Sequence, residues 1–395
     1  SPGREDRAIA RAGLTAGDVL RRASRLPSSR LPGPSRINAA RVRELVPAVE
    51  TAGLKGAFVS WDFKLEDDAR LVVSIARTAA AYGAKMITRA RATSISADGA
   101  VVTDELDGGQ FEVRARNVIN ATGVWAGTLD PHVELTPSRG THLVLPAAAL
   151  GRPRASLTVP VPGHFGRFVF TIPQFDDLVY VGLTDVPAPG PIPEVPTPDA
   201  EEIDWILDVF NRSLSKAITR DDVIGTFAGL RPLAADPGSS DSTADISRHH
   251  LITGGPGEVI TVTGGKLTTY RRMAQDAVDK ISDVECQTHR IALVGAGTPP
   301  AHPAIPHRLV RRFGSEASLI AGLADHDASL LQPLSPESHS RVLGVEVLWA
   351  QQAEGALDIE DVVERRTRIS LVPEDLAMVK ETVSALLEGT TTAHR

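Results

Sequence analysis

The sequence predicts an α/β (α+β) protein. In it a mostly antiparallel sheet, two strands that end in small residues, and a helical C-terminal unit share 395 residues. Three observations carry that expectation. Between residues 141 and 228 the chain runs through Leu157-Thr158-Val159, Phe168-Val169-Phe170-Thr171-Ile172 and Val179-Tyr180-Val181-Gly182-Leu183, with a single helical pattern at 199–215; such grouping indicates an antiparallel sheet carrying a helix rather than a repeating βαβ array. The apolar stretches Val118-Ile119-Asn120-Ala121-Thr122-Gly123 and 259–262 followed by Thr263-Gly264-Gly265 read as strands that close on small residues. Past Ile281, a linker with Pro299, Pro300, Pro303 and Pro306 precedes three or four helical patterns with little strand signal.

The elements follow in order. An Arg-rich, Ser-containing start would suit a transit peptide, but it includes Glu5, Asp6 and Asp18, and Ile9, Ala10, Leu14, Val19 and Leu20 fall at the spacing of a short amphipathic helix. The first residue is Ser1 rather than Met, so an upstream portion is expected. Pro27, Pro32, Gly33 and Pro34 mark a loop, and 38–45 reads as a helix stopped at Pro47. Over 66–82 the apolar residues recur at helical spacing, with acids at the start and Gly83 as a C-terminal stop. Strand-like stretches at 85–87 and 92–95 precede a hairpin over 101–113 that turns at Gly108-Gly109. The proline-rich 187–198 is a stiff loop before the helix at 199–215.

Composition narrows the function. A net charge of -7 and a pI near 5.9 provide no basic field for a nucleic-acid backbone. No apolar run approaches the ~20 residues of a membrane-spanning helix, so membrane contact would be peripheral. Cys286 alone permits no internal disulfide, fits a reducing cytoplasm and excludes Cys-based zinc sites. His249 and His250 lack companions at metal spacing, so no metal is expected.

Three clusters carry chemistry. At Asn120-Ala121-Thr122-Gly123, small residues at a buried strand end would let a flat cofactor or its phosphates approach the backbone, and an ordinary turn would look the same. Thr263-Gly264-Gly265-Lys266-Leu267-Thr268-Thr269-Tyr270-Arg271 follows a strand and opens a helix. Ile260 occupies the first glycine position of a Walker A loop, which excludes that reading, but a lysine at a helix start opposes the helix dipole and so points to a ligand contact. In Gly229-Leu230-Arg231-Pro232-Leu233 an arginine held between strand and proline suits bidentate capture of a phosphate or carboxylate, or an ordinary surface salt bridge, with Arg248 shortly after. His142, opening the apolar strand 142–144, suits either a structural role or proton acceptance from a substrate hydroxyl. Leu293-Val294-Gly295-Ala296-Gly297 is not a dinucleotide fingerprint, because the third glycine is absent and Pro299-Pro300 follow.

Taken in order, these motifs resemble the FAD-dependent glycerol-3-phosphate dehydrogenases over nearly the whole chain. The resemblance also rests on Asp67-Asp68-Ala69-Arg70-Leu71, Arg139-Gly140-Thr141-His142-Leu143-Val144, Gly182-Leu183-Thr184-Asp185 and Glu364-Arg365-Arg366-Thr367-Arg368. It implies an FAD/NAD(P)-binding fold of the glycine-oxidase and D-amino-acid-oxidase type, with an antiparallel-sheet substrate domain and a C-terminal helical domain. The expected division is an opening segment 1–59 belonging to the substrate domain, FAD-binding parts at 60–125 and 249–285, the substrate domain at 126–248, and the helical domain at 286–395.

The implied activity is oxidation of sn-glycerol 3-phosphate to dihydroxyacetone phosphate, with a hydride passing to FAD and electrons then to a membrane quinone. Arg231 and Arg248 would surround the phosphate and developing alkoxide, with Lys266 beside the substrate. His142 would take the hydroxyl proton. Ala121, Thr122, Gly123, Gly264, Gly265, Lys266, Leu267 and Thr268 would contact FAD. A cytoplasmic protein, peripheral at the inner face of the plasma membrane and compatible with a homodimer, is the accompanying expectation. The family's opening Gly-x-Gly-x-x-Gly unit and its arginine-tyrosine motif do not occur in this sequence. The fold is therefore expected to be incomplete, and this chain alone to bind FAD poorly and turn over little. An amine or 2-hydroxyacid oxidase of the same fold and a flavin-free scaffold are the competing readings.

Overall fold

A computed structural model describes residues 4–164, 166–234, 250–297 and 305–393. The opening helix expected from the sequence is α1 (Arg4–Ala23). Strands β1 (Ser35–Ile37) and β2 (Ala57–Val59) form an antiparallel pair around α2 (Ala39–Leu45). The Asn38 side chain accepts the Arg41 N–H at 2.9 Å, the cap that starts α2. In the same way Asp67 accepts the Arg70 N–H at 3.1 Å and starts α3 (Asp68–Ala81), which stops at Tyr82 before Gly83, whose φ of +93° no helix continues.

A three-stranded antiparallel meander follows: β3 (Ala90–Ser96), β4 (Gly99–Asp104) and β5 (Gln110–Arg114), with Gly108 at φ +81° in the last turn. The strand expected at 85–87 does not form. Met86 and Ile87 are 52% and 66% exposed and no described strand lies beside them, and without a partner a short apolar run has nothing to hold it extended.

After β6 (Ile119–Asn120) a 3₁₀ turn leads into one turn of helix, α4 (Ala126–Leu129). The main sheet is antiparallel: β7 (Leu135–Pro146), β8 (Thr158–Pro160), β9 (Phe168–Pro173), β10 (Leu178–Gly182), β11 (Val186–Pro187), then, beyond α5 (Ala200–Asn211), β12 (Gly225–Ala234). β12 follows β7 along ten residues, so β10 and β11 share the other edge of β7. Side chains alternate across a strand, and one face of this sheet is the core: Leu143, Leu145, Val179 and Val181 pack with Ile206, Val209 and Phe210 of α5. Each such fully buried side chain contributes about 1.5–3 kcal/mol. α5 begins where the Glu202 carboxylate accepts the Asp199 N–H at 3.1 Å, and it ends at Asn211, short of the expected 215. The opposite face of the sheet carries Ser138, Gly140 and His142.

A second small sheet joins β13 (His250–Thr253), β14 (Ile260–Gly264) and β6. β14 lies parallel to β6 in the register Ile260↔Ile119 and Thr261↔Asn120, and is followed by α6 (Tyr270–Val278). β6 is the edge strand of this sheet, and Ile119 is 39% exposed.

The C-terminal unit is helical, as the sequence predicts: α7 (His307–Phe313), α8 (Ala317–Ala321), α9 (Gly344–Ala353) and α10 (Pro373–Ala393). Its two apolar clusters centre on Leu309, Ile320 and Trp349, and on Val347, Val362 and Val383. Buried ion pairs tie it to the rest of the chain. Arg70 pairs with Glu354, Arg312 reaches Asp67 at 2.8 Å and Glu346 at 3.2 Å, and Arg308 lies 2.5 Å from both Asp176 and Glu346. No helix among the described residues is long and apolar enough to cross a membrane.

Candidate active site on the β7–β12 face

His142 stands mid-sheet, paired with Gly182 of β10 on one side and Phe227 of β12 on the other. Its ring stacks on Phe227 with centroids 4.7 Å apart and planes 7° from parallel. A Cβ on Gly182 would lie 2.5 Å from His142 Cδ2, so a glycine opposite the histidine makes the room the imidazole occupies. His142 Nδ1 is shut off from solvent and has no hydrogen-bond partner among the described residues. A buried ring nitrogen left in this way is destabilising unless a ligand atom meets it.

Arg231 pairs in register with Ser138, and its side chain therefore rises on the same face as His142. The guanidinium donates to the Thr184 carbonyl at 3.3 Å and to the Ser138 hydroxyl at 3.4 Å, and lies 3.5 Å from the Asp185 carboxylate, which also accepts from Ser138. A Cβ on Gly140 would fall 2.2 Å from its Nη2, so Gly140 leaves open the ground this side chain crosses. Beside Arg231 opens a cleft of about 740 Å3, walled by Phe168, Phe170, Thr184, Asp185 and Trp205. His142 and Lys266 are not among the residues that line it.

Burial holds the His142 imidazolium down, and the nearby positive charges of Arg231 and Arg368 add to that, while Asp68 opposes it; the net result is a pKa lowered to about 4. The imidazole is thus neutral at pH 7, as a proton acceptor must be. Because the unfolded chain binds this proton near the ordinary 6.5 and the folded chain only near 4, stability is full above pH 6.5 and is lost as pH falls through that window, by ~3 kcal/mol in all. Urea unfolding at pH 7 and pH 4.5 is expected to show this loss in the wild type and a smaller one in His142→Gln. Equal losses in both proteins would remove His142 as its source.

The eight residues expected around a cofactor gather at one place. β6 and β14 are parallel, so Ala121, Thr122 and Gly123 at the end of one lie beside Gly264, Gly265, Lys266, Leu267 and Thr268 at the end of the other. The carboxyl ends of parallel strands are where such folds receive ligands. Gly123, Gly264 and Gly265 all have positive φ (+63°, +68° and +75°). At Gly265 a Cβ would also meet Met273 Sδ at 2.6 Å, so packing within the chain already requires that glycine. Ala121, Thr122, Lys266, Leu267 and Thr268 are exposed, and Lys266 forms no ion pair among the described residues. β12, the strand that carries Arg231, passes alongside β14 and the 3₁₀ turn at Gly123–Trp125. Arg248 lies outside the described residues.

Sequence reasoning missed the supports of this site. Asp185 and Ser138 orient Arg231, Phe227 backs His142, and Arg368 arrives from the C-terminal domain. The local signals were a glycine two residues before His142 and another in Gly182-Leu183-Thr184-Asp185.

Comparison with known proteins follows the same outline. Residues 8–271 match the FAD dependent oxidoreductase family, and residues 286–392 match the C-terminal domain of alpha-glycerophosphate oxidase. Glycerol-3-phosphate dehydrogenase 1 of Mycobacterium tuberculosis and of Mycobacterium bovis is 43% identical, covering 97% of this chain and 77% of the relative. Glycerol-3-phosphate dehydrogenase 2 of Mycobacterium tuberculosis is 31% identical over 91% of this chain and 64% of its own length. The crystal structure of the glycerol-3-phosphate dehydrogenase from Bacillus halodurans complexed with FAD superposes with a TM-score of 0.66 over 90% of this chain and 78% of that one, at 24% identity, a likeness of fold.

Proposed function

The chain belongs to the FAD-dependent glycerol-3-phosphate dehydrogenases, and from that premise we propose that it oxidises sn-glycerol 3-phosphate to dihydroxyacetone phosphate on the β7–β12 face. The observation that carries this reading is the pairing of a neutral, unpartnered imidazole with a guanidinium on one sheet face, beside the carboxyl ends of β6 and β14.

The residues at those strand ends fit the flavin end of FAD. Small or glycine residues leave the backbone open to a flat ring, and the first turn after Lys266 presents backbone N–H groups. No Gly-x-Gly-x-x-Gly turn for the pyrophosphate occurs in the sequence. These residues by themselves are therefore expected to hold FAD weakly and to turn over little. When bound, FAD supplies the two-electron acceptor for the hydride that leaves C2.

Arg231 would bind the substrate phosphate and fix the distance from phosphate to C2. Arg248 would join it, and Lys266 would add a cation at the cofactor side. His142 would accept the C2 hydroxyl proton. A doubly negative phosphate beside Arg231 cancels part of the positive potential that lowers the His142 pKa, so substrate binding itself makes the imidazole a stronger base. A membrane quinone as the final acceptor, and a cytoplasmic protein touching the inner face of the plasma membrane, complete the proposal. The exposed Trp61, Phe63 and Leu65 offer apolar side chains for such contact.

Dye-linked turnover of the FAD-loaded protein should be compared across substrates. Activity is expected with sn-glycerol 3-phosphate and not with glycerol, amines or unphosphorylated 2-hydroxy acids. Preference for an amine or a 2-hydroxy acid would overturn the reading.

A further inference from the structure

The stretch Glu364-Arg365-Arg366-Thr367-Arg368 connects the C-terminal helical domain to the candidate site. Arg366 donates to the Glu354 carbonyl at 2.8 and 3.1 Å, and the Thr367 hydroxyl donates to the Val362 carbonyl at 2.7 Å. Anchored in this way, the chain enters the left-handed region at Arg368, φ +62°, a conformation that a residue with a Cβ adopts rarely. The guanidinium of Arg368 lies 5.5 Å from the ring centre of Phe227 and 6.0 Å from that of Tyr180, and donates to the Asp68 carboxylate at 3.0 Å. Phe227 is the same ring that stacks on His142, and it meets Tyr180 edge-on at 5.2 Å. Val372 of the C-terminal domain packs against Val144 and Leu178 in the same apolar patch. A cation, two aromatic rings and the imidazole thus form one contiguous cluster that begins in the C-terminal domain and ends at the sheet face.

We propose that Arg368 is a positioning residue of this site: through Phe227 it holds His142 in place, and with Arg231 it gives the face a second positive charge toward a phosphomonoester dianion. The inference rests on reading this face as the catalytic one. It gives the C-terminal domain a part in the reaction that its sequence alone does not indicate. The groups that face His142 are Arg231 and Phe227 from β12, Tyr180 and Gly182 from β10, Arg368 from the C-terminal domain and Asp68 from the start of α3. Of these, Arg368 and Arg231 favour the neutral imidazole and Asp68 opposes them.

The test is an NMR titration of His142 in the histidine-labelled full chain, combined with its perturbation by inorganic phosphate. Arg368→Gln is expected to move the His142 pKa up toward that of an ordinary histidine and to weaken phosphate binding on the order of tenfold; Arg368→Lys is expected to restore most of both. A purely structural arginine would lower the melting temperature while leaving the titration in place. An unchanged His142 titration in Arg368→Gln would overturn the proposal. Should that variant fail to fold, Asp68→Asn serves instead, with a further fall in the His142 pKa expected and no change, or a rise, overturning the proposal. If phosphate leaves His142 unperturbed in the wild type while Arg368→Gln still raises its pKa, the substrate reading of the face fails and the positioning role stands. If phosphate perturbs His142 and the Arg368 variants do not move its titration, the positioning role alone fails.

Discussion

The FAD-loaded Arg231→Ala protein is expected to lose at least about tenfold in kcat/KM for sn-glycerol 3-phosphate, a loss that follows from removing a charge-assisted contact. Two effects add. The phosphate loses one of its cations, and the Asp185 carboxylate, which the guanidinium faces at 3.5 Å, loses that positive neighbour beside the incoming dianion. Both KM and kcat should suffer, because the same contact fixes the distance from phosphate to C2. Steady-state kinetics with a dye acceptor read this directly, and unchanged constants would remove Arg231 from the site.

Glu346→Ala is expected to destabilise the chain by about 3–5 kcal/mol, the range for removing one partner of a buried ion pair. The Glu346 side chain is 1% exposed and accepts from Arg308 Nε at 2.5 Å and from the Leu343 N–H at 3.1 Å, with Arg312 Nε at 3.2 Å. Burial alone would push its carboxyl up, but Arg308 and Arg312 more than offset this and hold it below the usual carboxylate range. Alanine would leave two buried guanidinium groups facing an empty position, although Asp176 and Asp67 still engage them. Urea unfolding monitored by circular dichroism measures the effect, and a loss under about 1 kcal/mol would show that those two aspartates suffice. Since Arg308 and Arg312 also join the C-terminal unit to the β9–β10 turn and to the Asp67 cap of α3, the variant is also expected to loosen the loop that presents Arg368.

Local chemistry was legible in the sequence wherever a few neighbouring residues decide the outcome. Pro47 and Gly83 follow the ends of two helices and Gly108 turns a hairpin, each by a mechanism confined to a handful of residues. The stretch at 85–87 misled because its apolar character resembles a strand, while strand formation depends on a partner that lies elsewhere in the chain. The motifs around His142, Arg231 and Gly264 lie on strands β7 and β12 and at the end of β14. What they could not carry is register. That Arg231 stands opposite Ser138, that Gly140 and Gly182 clear space for the Arg231 and His142 side chains, and that Phe227 stacks on His142 are all consequences of strand pairing over long range. Arg368 is the extreme case, because nothing near it in the chain reports on a sheet built from residues far earlier.

Anaerobic mixing of the oxidised, FAD-loaded protein with sn-glycerol 3-phosphate tests most directly whether a phosphorylated alcohol is oxidised at the His142–Arg231 face. With FAD held in excess to offset its weak binding, slow but complete bleaching of the bound flavin is expected with sn-glycerol 3-phosphate, much slower bleaching in His142→Gln and Arg231→Ala, and none with glycerol. A flavin that stays oxidised with sn-glycerol 3-phosphate, or one that is reduced equally fast in both variants, would contradict it.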